Sequence, residues 1–182
     1  MGTLRLTGGM LRSRRVSAPS GRAVRPTPAR VKEALFSILG SKLDASHVLD
    51  LFAGSGALGF EALSRGAAHV TFVESHRATA SALNAAARTL GVENACTVIV
   101  APAERAVARL RGPYDLVFAD PPYAQPYPAA LFAALRASGA VSPASLIVYE
   151  HSSAVAAPAD PGFAVTRTAR YGAVALSFLA AA

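Results

Sequence analysis

The sequence predicts an α/β protein, a mostly parallel sheet with helices on both faces. Three observations predict it: short apolar runs without polar alternation, helix-like segments between them, and a glycine-rich turn where the first run ends. The runs are VLDLF at 48–52, VTFV at 70–73, TVIV at 97–100, YDLVFA at 114–119 and SLIVYE at 145–150. Unbroken apolar runs suit strands buried on both faces. The segments between them, 57–65, 76–90, 103–111 and 128–137, read as helices. Strand and helix in alternation give parallel pairing through helical crossovers.

Taken in order, residues 4–7 and 11–17 are strand-like on either side of Gly8-Gly9, which suggests a small basic hairpin or loop. Residues 19–28 read as an extended connector. Thr27 is placed to cap a helix whose first position is Pro28, because proline's fixed φ suits that position and its missing N–H costs nothing there. Val31, Ala34, Leu35, Ile38 and Leu39 then form an apolar stripe at helical spacing that ends near Gly40, so this helix should pack on the body. At the other end, residues 163–168 and 174–179 flank Tyr171-Gly172 as a terminal antiparallel hairpin. The domain reading is a basic arm or hairpin over residues 1–26 and one main domain over 27–182.

Composition narrows the function classes. The chain has 182 residues, 52% hydrophobic and 16% charged, a balance that excludes wholesale disorder and a coiled coil. Cys96 is the single cysteine, so there is no internal disulfide and no cysteine zinc site. No apolar stretch reaches the roughly 20 residues a spanning helix needs, and the N-terminus lacks a signal-peptide apolar segment. The expectation is a cytoplasmic protein with no membrane partner and no metal.

The net charge of +7 is unevenly spread. Arg5, Arg12, Arg14, Arg15, Arg22, Arg25, Arg30 and Lys32 precede the first acid, Glu33, so residues 1–32 carry +8 and the rest −1. A basic segment of this kind is either a solvated tail or an electrostatic footprint for a polyanion.

Two motifs carry chemistry. The first buried run ends in Asp50-Leu-Phe-Ala-Gly54-Ser-Gly56-Ala-Leu-Gly59, a GxGxxG between strand and helix. Its glycines permit a tight turn and close approach of a ligand to the helix N-terminus. Glu74 ends the next strand, twenty residues after Gly54, where a carboxylate can accept from both ribose hydroxyls. A nicotinamide dinucleotide and S-adenosylmethionine both fit that arrangement. Asp50 leans toward the second, since its charge would repel a pyrophosphate and suit the ammonium of a methionine moiety.

The second motif is Asp120-Pro121-Pro122-Tyr123, where the fourth run leaves the sheet. Two prolines end the ladder and stiffen the exit, at the carboxyl edge where open parallel sheets bind ligands. The carboxylate of Asp120, the carbonyl of Pro121 and the ring of Tyr123 match the needs of methyl transfer to an exocyclic amine. Hydrogen bonds to the first two hold the weakly nucleophilic nitrogen in place, and the ring stacks on a base taken out of its helix.

Together with Glu61-Ala-Leu-Ser-Arg-Gly66, Phe72-Val-Glu74 and the upstream Arg25-Pro-Thr27, Arg30-Val31 and Glu33-Ala-Leu-Phe36, these motifs resemble the bacterial small-subunit ribosomal RNA guanine-N2 methyltransferase family. The resemblance runs from the Gly8-Gly9 region to Tyr171-Gly172. It implies a Rossmann-like, seven-stranded methyltransferase fold with a late antiparallel strand, and S-adenosylmethionine as methyl donor. It also implies a ribosomal RNA guanine as acceptor, met free or within an assembling small subunit. By position it assigns Asp50, Gly54, Gly56 and Glu74 to the cofactor, and Asp120, Pro121 and Tyr123 to the base. Arg12, Arg14, Arg15, Arg25 and Arg30 are the RNA-binding candidates. Two departures stand out. Where relatives place Asp or Asn to meet the adenine amino group, this chain has Ala101-Pro102-Ala103, which leaves the Ala103 backbone N–H for that contact. The helix opening Thr27-Pro28-Ala29-Arg30 replaces a second Thr and an Asp.

Other polar residues read as local. His47, His69, His76 and His151 show no metal spacing, Asn84 reads as a helix hydrogen-bonding residue, Asp115 as a strand start, and Glu150 as a sheet-edge acid. Competing functions are an adenine-N6 or glutamine-N5 methyltransferase, which usually carry Asn at position 120, a nicotinamide-dependent oxidoreductase, and a non-catalytic RNA-binding module.

Overall fold

The computed structural model describes residues 2–18, 28–121 and 127–181. The chain opens with an antiparallel pair, β1 (Gly2–Arg5) and β2 (Arg15–Ala18), and continues through α1 (Ala29–Leu39), β3 (His47–Asp50), α2 (Ala57–Ser64), β4 (His69–Glu74) and α3 (Arg77–Leu90). It then runs through β5 (Cys96–Val100), α4 (Ala103–Val107), β6 (Leu116–Ala119), α5 (Ala129–Ala137), β7 (Leu146–Ser152), β8 (Phe163–Tyr171) and β9 (Val174–Ala181). The main sheet has the order β5-β4-β3-β6-β7-β9-β8; the first five strands are parallel, and β9 pairs antiparallel with both β7 and β8. The expected α/β class and terminal hairpin are both present.

Because strand side chains alternate between faces, each buried run feeds two cores. Val48, Val70, Phe72, Leu116, Phe118 and Val148 join one core with α1, α2 and α3. Leu49, Val73, Val117, Ala119, Ile147 and Tyr149 join the other with α4 and α5. Gly59 allows α2 to lie close on the sheet, since a Cβ there would run into the Phe72 ring.

Three expectations need correction. β5 is an edge strand with partly exposed side chains, Val100 among them at 48%, so its apolar run did not mean burial on both faces. The helix expected over 103–111 stops at Val107 and tightens into turns, with Arg109 N–H donating to the Ala106 carbonyl. α1 starts at Ala29, one residue later than expected, and Pro28 takes the cap position, its carbonyl accepting from Val31 and Lys32 N–H. Thr27 lies outside the described residues. The α1 stripe is also rotated: Lys32 and Phe36 are buried with Val31, Leu35 and Leu39, while Ala34 and Ile38 are half-buried.

The N-terminal hairpin is fastened to α2. Leu4, Leu6 and Val16 enter the first core, and the fully buried Glu61 accepts from Thr7 N–H (3.0 Å), Thr7 Oγ1 (2.9 Å) and Gly8 N–H (2.8 Å). The same carboxylate pairs with Lys32 Nζ at 3.0 Å and Arg65 Nε at 2.8 Å. Ser64 Oγ donates to the Gly8 carbonyl and accepts from Leu11 N–H. Gly9, at φ +72°, lies so close to the Ser64 carbonyl that no side chain fits there. The Glu61-Ala-Leu-Ser-Arg-Gly66 stretch is thus the dock for Gly8-Gly9. Burial alone would push the Glu61 carboxyl up, but the Thr7 N–H, Arg65 and Lys32 outweigh it and hold it below the usual range.

Candidate active site

The sheet order reverses between β3 and β6, and the loops leaving two such strands open a crevice at their carboxyl ends. β3 delivers Asp50 to that crevice, β4 delivers Glu74, and the chain leaving β6 delivers Asp120. In register, Asp50 lies beside Phe118 across the β3–β6 pair. The candidate carboxylates therefore come from three adjacent strands.

The glycine loop is closed by the acid of the next strand. Glu74 accepts from Gly54 N–H (3.0 Å, Oε2) and His76 N–H (2.7 Å, Oε1), which fixes the carboxylate at the mouth of the loop. Gly56 sits in the left-handed region at φ +76° as α2 begins, where a Cβ would come within 2.5 Å of the Phe60 ring. Asp50 is 3% exposed and accepts from Gly59 N–H at 3.2 Å. Burial pushes its carboxyl up to about 7; the Gly59 N–H opposes this, and the nearby Glu74 charge adds to it. Asp120 stands well above the usual carboxylate range, first through burial and then through the charges of Glu150 and Asp50. Burial is the first cause at both Asp50 and Asp120, so the cleft offers two poorly solvated carboxyls that a cation would draw toward their ionised forms.

Ala103 is the buried first residue of α4, beside the β4 exit, where Ala101 N–H donates to the Glu74 carbonyl at 3.1 Å. Pro121 is buried behind Asp120. Tyr123 and Arg25 lie outside the described residues. Downstream of the Asp120 turn, Tyr127 is anchored by ring contacts to Phe132 (4.8 Å) and Tyr149 (5.4 Å) and donates its hydroxyl to Asp160.

Arg12, Arg14 and Arg15 are exposed on the hairpin, Arg14 reaching the Thr89 carbonyl at 2.9 Å, and Arg30 is exposed in the first turn of α1. The charge count of the arm needs one correction. Lys32 is 4% exposed and neutralises Glu61, donating also to the Arg5 carbonyl, so it is a structural cation. Glu150, expected as a sheet-edge acid, is 4% exposed within β7, which runs on to Ser152; it lies one residue beyond the Ala119–Tyr149 pair, and its charge acts on Asp120. Its signal was available: it follows a buried run at the same strand edge as Asp50 and Asp120.

Residues 4–180 match the protein family described as conserved hypothetical protein 95. The chain is 42% identical over 122 residues to the ribosomal RNA small subunit methyltransferase D of Escherichia coli strain K12, a match covering 67% of this chain and 61% of that protein, about three fifths of its length. It is 34% identical over 173 residues to YlbH of Bacillus subtilis strain 168, provisionally named an rRNA methyltransferase, covering 93% of this chain and 94% of that one. The solved structure of yhhF from Escherichia coli, provisionally named a methyltransferase, is similar with a TM-score of 0.89 at 34% identity, covering 99% of this chain and 98% of that chain. Fold, strand order and a match over nearly the whole chain agree: this chain belongs to the conserved hypothetical protein 95 family and has its Rossmann-like methyltransferase fold.

Proposed function

We propose that this chain transfers a methyl group from S-adenosylmethionine to the exocyclic N2 amine of a guanine in small-subunit ribosomal RNA. The observation that carries the reading is that Glu74 and Asp50 hold the glycine turn, through Gly54 and Gly59, while Asp120 leaves the strand next to that of Asp50 at the switch point of the sheet. That donor set suits an ammonium and a ribose diol. It opposes a dinucleotide pyrophosphate, which disfavours the oxidoreductase. The relatives named as ribosomal RNA methyltransferases and the exposed arginines of the hairpin support the RNA substrate. In this reading the arm of residues 1–26 grips RNA, free or in an assembling subunit, residues 27–182 are the catalytic domain, and the setting is cytoplasmic.

When bound, S-adenosylmethionine supplies an electrophilic methyl on a cationic sulfur. Asp50 holds its amino group, Glu74 accepts from its ribose hydroxyls, the loop glycines 54 and 56 leave room for its methionine part, and Ala103 N–H meets the adenine. Asp120 and the Pro121 carbonyl accept from the acceptor amine and Tyr123 stacks on its base, which fixes the nitrogen lone pair toward the methyl. As the nitrogen–carbon bond forms and the carbon–sulfur bond breaks, the amine sheds one proton. A cation in the cleft draws the carboxyls toward their ionised forms, so Asp120 is free to take that proton.

Titration calorimetry tests the cofactor half. S-adenosylhomocysteine is expected to bind once per chain, with little affinity for NAD. Its ammonium is best met by ionised Asp50, so affinity should rise with pH from 5.5 toward about 8 around the raised Asp50 value near 7, with proton release on binding. The same group works against the unliganded fold: its contribution is complete below 3.8 and lost as pH rises through about 7. Asp50→Asn should therefore raise apo stability at pH 8, weaken S-adenosylhomocysteine and abolish the pH dependence. Tight NAD binding without a response to S-adenosylhomocysteine contradicts the reading.

The RNA half is tested on the hairpin. Replacing Arg12, Arg14 and Arg15 by Ala should lower RNA affinity and flatten its log-log salt slope by up to about 3 units, at about 0.9 per duplex phosphate contact. S-adenosylhomocysteine affinity should not change. An unaltered slope in a folded variant removes the hairpin from RNA recognition.

A further inference from the structure

We propose that Glu150 is the residue that reads the acceptor base as guanine, by accepting a hydrogen bond from its N1–H while Asp120 accepts from its N2 amine. The inference rests on the reading that a guanine N2 amine is the methyl acceptor. β6 and β7 are adjacent and parallel, with Ala119 opposite Tyr149. The next residues are Asp120, where the chain leaves β6, and Glu150, still inside β7 and paired with Leu176 of β9, so two carboxylates stand side by side at the point where β6 ends.

Strand alternation decides the face they share. Ala119 and Tyr149 belong to the core of α4 and α5, whereas Phe118 and Val148 belong to the core of α1 and α2. Glu150 follows the parity of Val148, and its partner on β9, Leu176, lies in that same core. Asp50 lies on this face too, against Gly59 of α2. Glu150 and Asp120 thus border the part of the crevice reached from the cofactor loop, and the Glu150 charge is felt at Asp120.

The chemistry of the purine edge makes the pair selective. Guanine presents two adjacent donors, N1–H and the N2 amine, which two adjacent carboxylates can accept. Adenine presents a bare N1, whose lone pair would face the Glu150 carboxylate. Adenine is disfavoured there because two acceptor lone pairs brought face to face repel, and N1 of adenine cannot replace the hydrogen bond that guanine N1–H makes. A single Asp120 could not make this distinction, since every exocyclic amine offers it a donor.

2-Aminopurine keeps the 2-amino group but carries a bare N1 and no O6, so the share that belongs to Glu150 is read from the change in preference between wild type and a Glu150 variant. The test uses a small-subunit ribosomal RNA fragment with guanine or 2-aminopurine at the methylated position. Wild type should prefer guanine by at least about tenfold, both in kcat/KM and in RNA affinity measured with S-adenosylhomocysteine present. Glu150→Gln, whose amide can donate to a bare N1, should lose activity on guanine and narrow that preference at least about fivefold, with S-adenosylhomocysteine affinity kept. A merely structural Glu150 would lower both substrates alike. Equal use of the two bases by wild type, or an unchanged preference in Glu150→Gln, overturns the inference. Should Glu150→Gln fail to fold, Glu150→Asp, which keeps the charge but draws it back from the base, is read instead, and a guanine preference unchanged from wild type overturns the inference. Absence of guanine methylation by wild type instead overturns the underlying function.

Discussion

Asp120→Ala is expected to abolish detectable methyl transfer, a loss of at least about 10²- to 10⁴-fold in kcat, while S-adenosylhomocysteine affinity stays nearly unchanged. The split follows from position. In the proposed site Asp120 leaves β6 on the acceptor side of the crevice, while the cofactor candidates Asp50 and Glu74 make their hydrogen bonds to Gly59, Gly54 and His76 without it. Removing the carboxylate takes away the amine's anchor and its proton acceptor together. The neighbouring charge that raises Asp50 is that of Glu74, which the substitution leaves in place, so cofactor binding has no reason to fall sharply. Tyr123→Ala should lose rate as well, with Tyr123→Phe much milder, because stacking uses the ring. Single-turnover kinetics beside calorimetry reads both halves; wild-type turnover by Asp120→Ala would remove it from the acceptor site.

Glu61→Ala should destabilise the protein by about 3–5 kcal/mol, the range for breaking a buried ion pair from one side. The carboxylate is fully buried and satisfies two hairpin N–H groups, a hydroxyl, Lys32 and Arg65. Its removal leaves Lys32 charged at 4% exposure with no carboxylate beside it. At about 2–4 °C per kcal/mol for a domain of this size, the melting temperature should fall by roughly 6–20 °C. The pH dependence has a definite sign. A carboxyl held below its ordinary value of 4.5 contributes stability that is complete above that value and lost as pH falls through its lower folded value. The gap between wild type and Glu61→Ala should accordingly narrow on acidification. A Glu61→Ala protein as stable as wild type at pH 7 would mean that the hairpin is held by its apolar residues alone.

What the sequence revealed, and what it hid, follows the range of the interactions involved. Buried apolar runs and the glycine turn are local signals, so the strands, their helices and the placing of Asp50, Glu74 and Asp120 at one edge could be read directly. β5 misled because an apolar run reports hydrophobicity and not neighbours; only the strand order makes it an edge. Lys32 misled for a related reason. It sits in a run of cations, and its burial depends on Glu61, twenty-nine residues away in sequence but 3.0 Å away in the fold. Glu150 reads in the sequence as an ordinary sheet-edge acid because such acids are common, and only the β6–β7 register sets it beside Asp120.

The central claim is methyl transfer to guanine N2, and the most direct measurement places the methyl group itself. The purified chain is incubated with S-adenosylmethionine carrying a tritiated methyl group and small-subunit ribosomal RNA, presented free or in partly assembled subunits. The RNA is then digested to nucleosides and the label resolved by chromatography against standards. The account predicts the label in N2-methylguanosine, approaching about one methyl per RNA molecule, and none with Asp120→Ala. Label in N6-methyladenosine, or in protein with none in RNA, would contradict it.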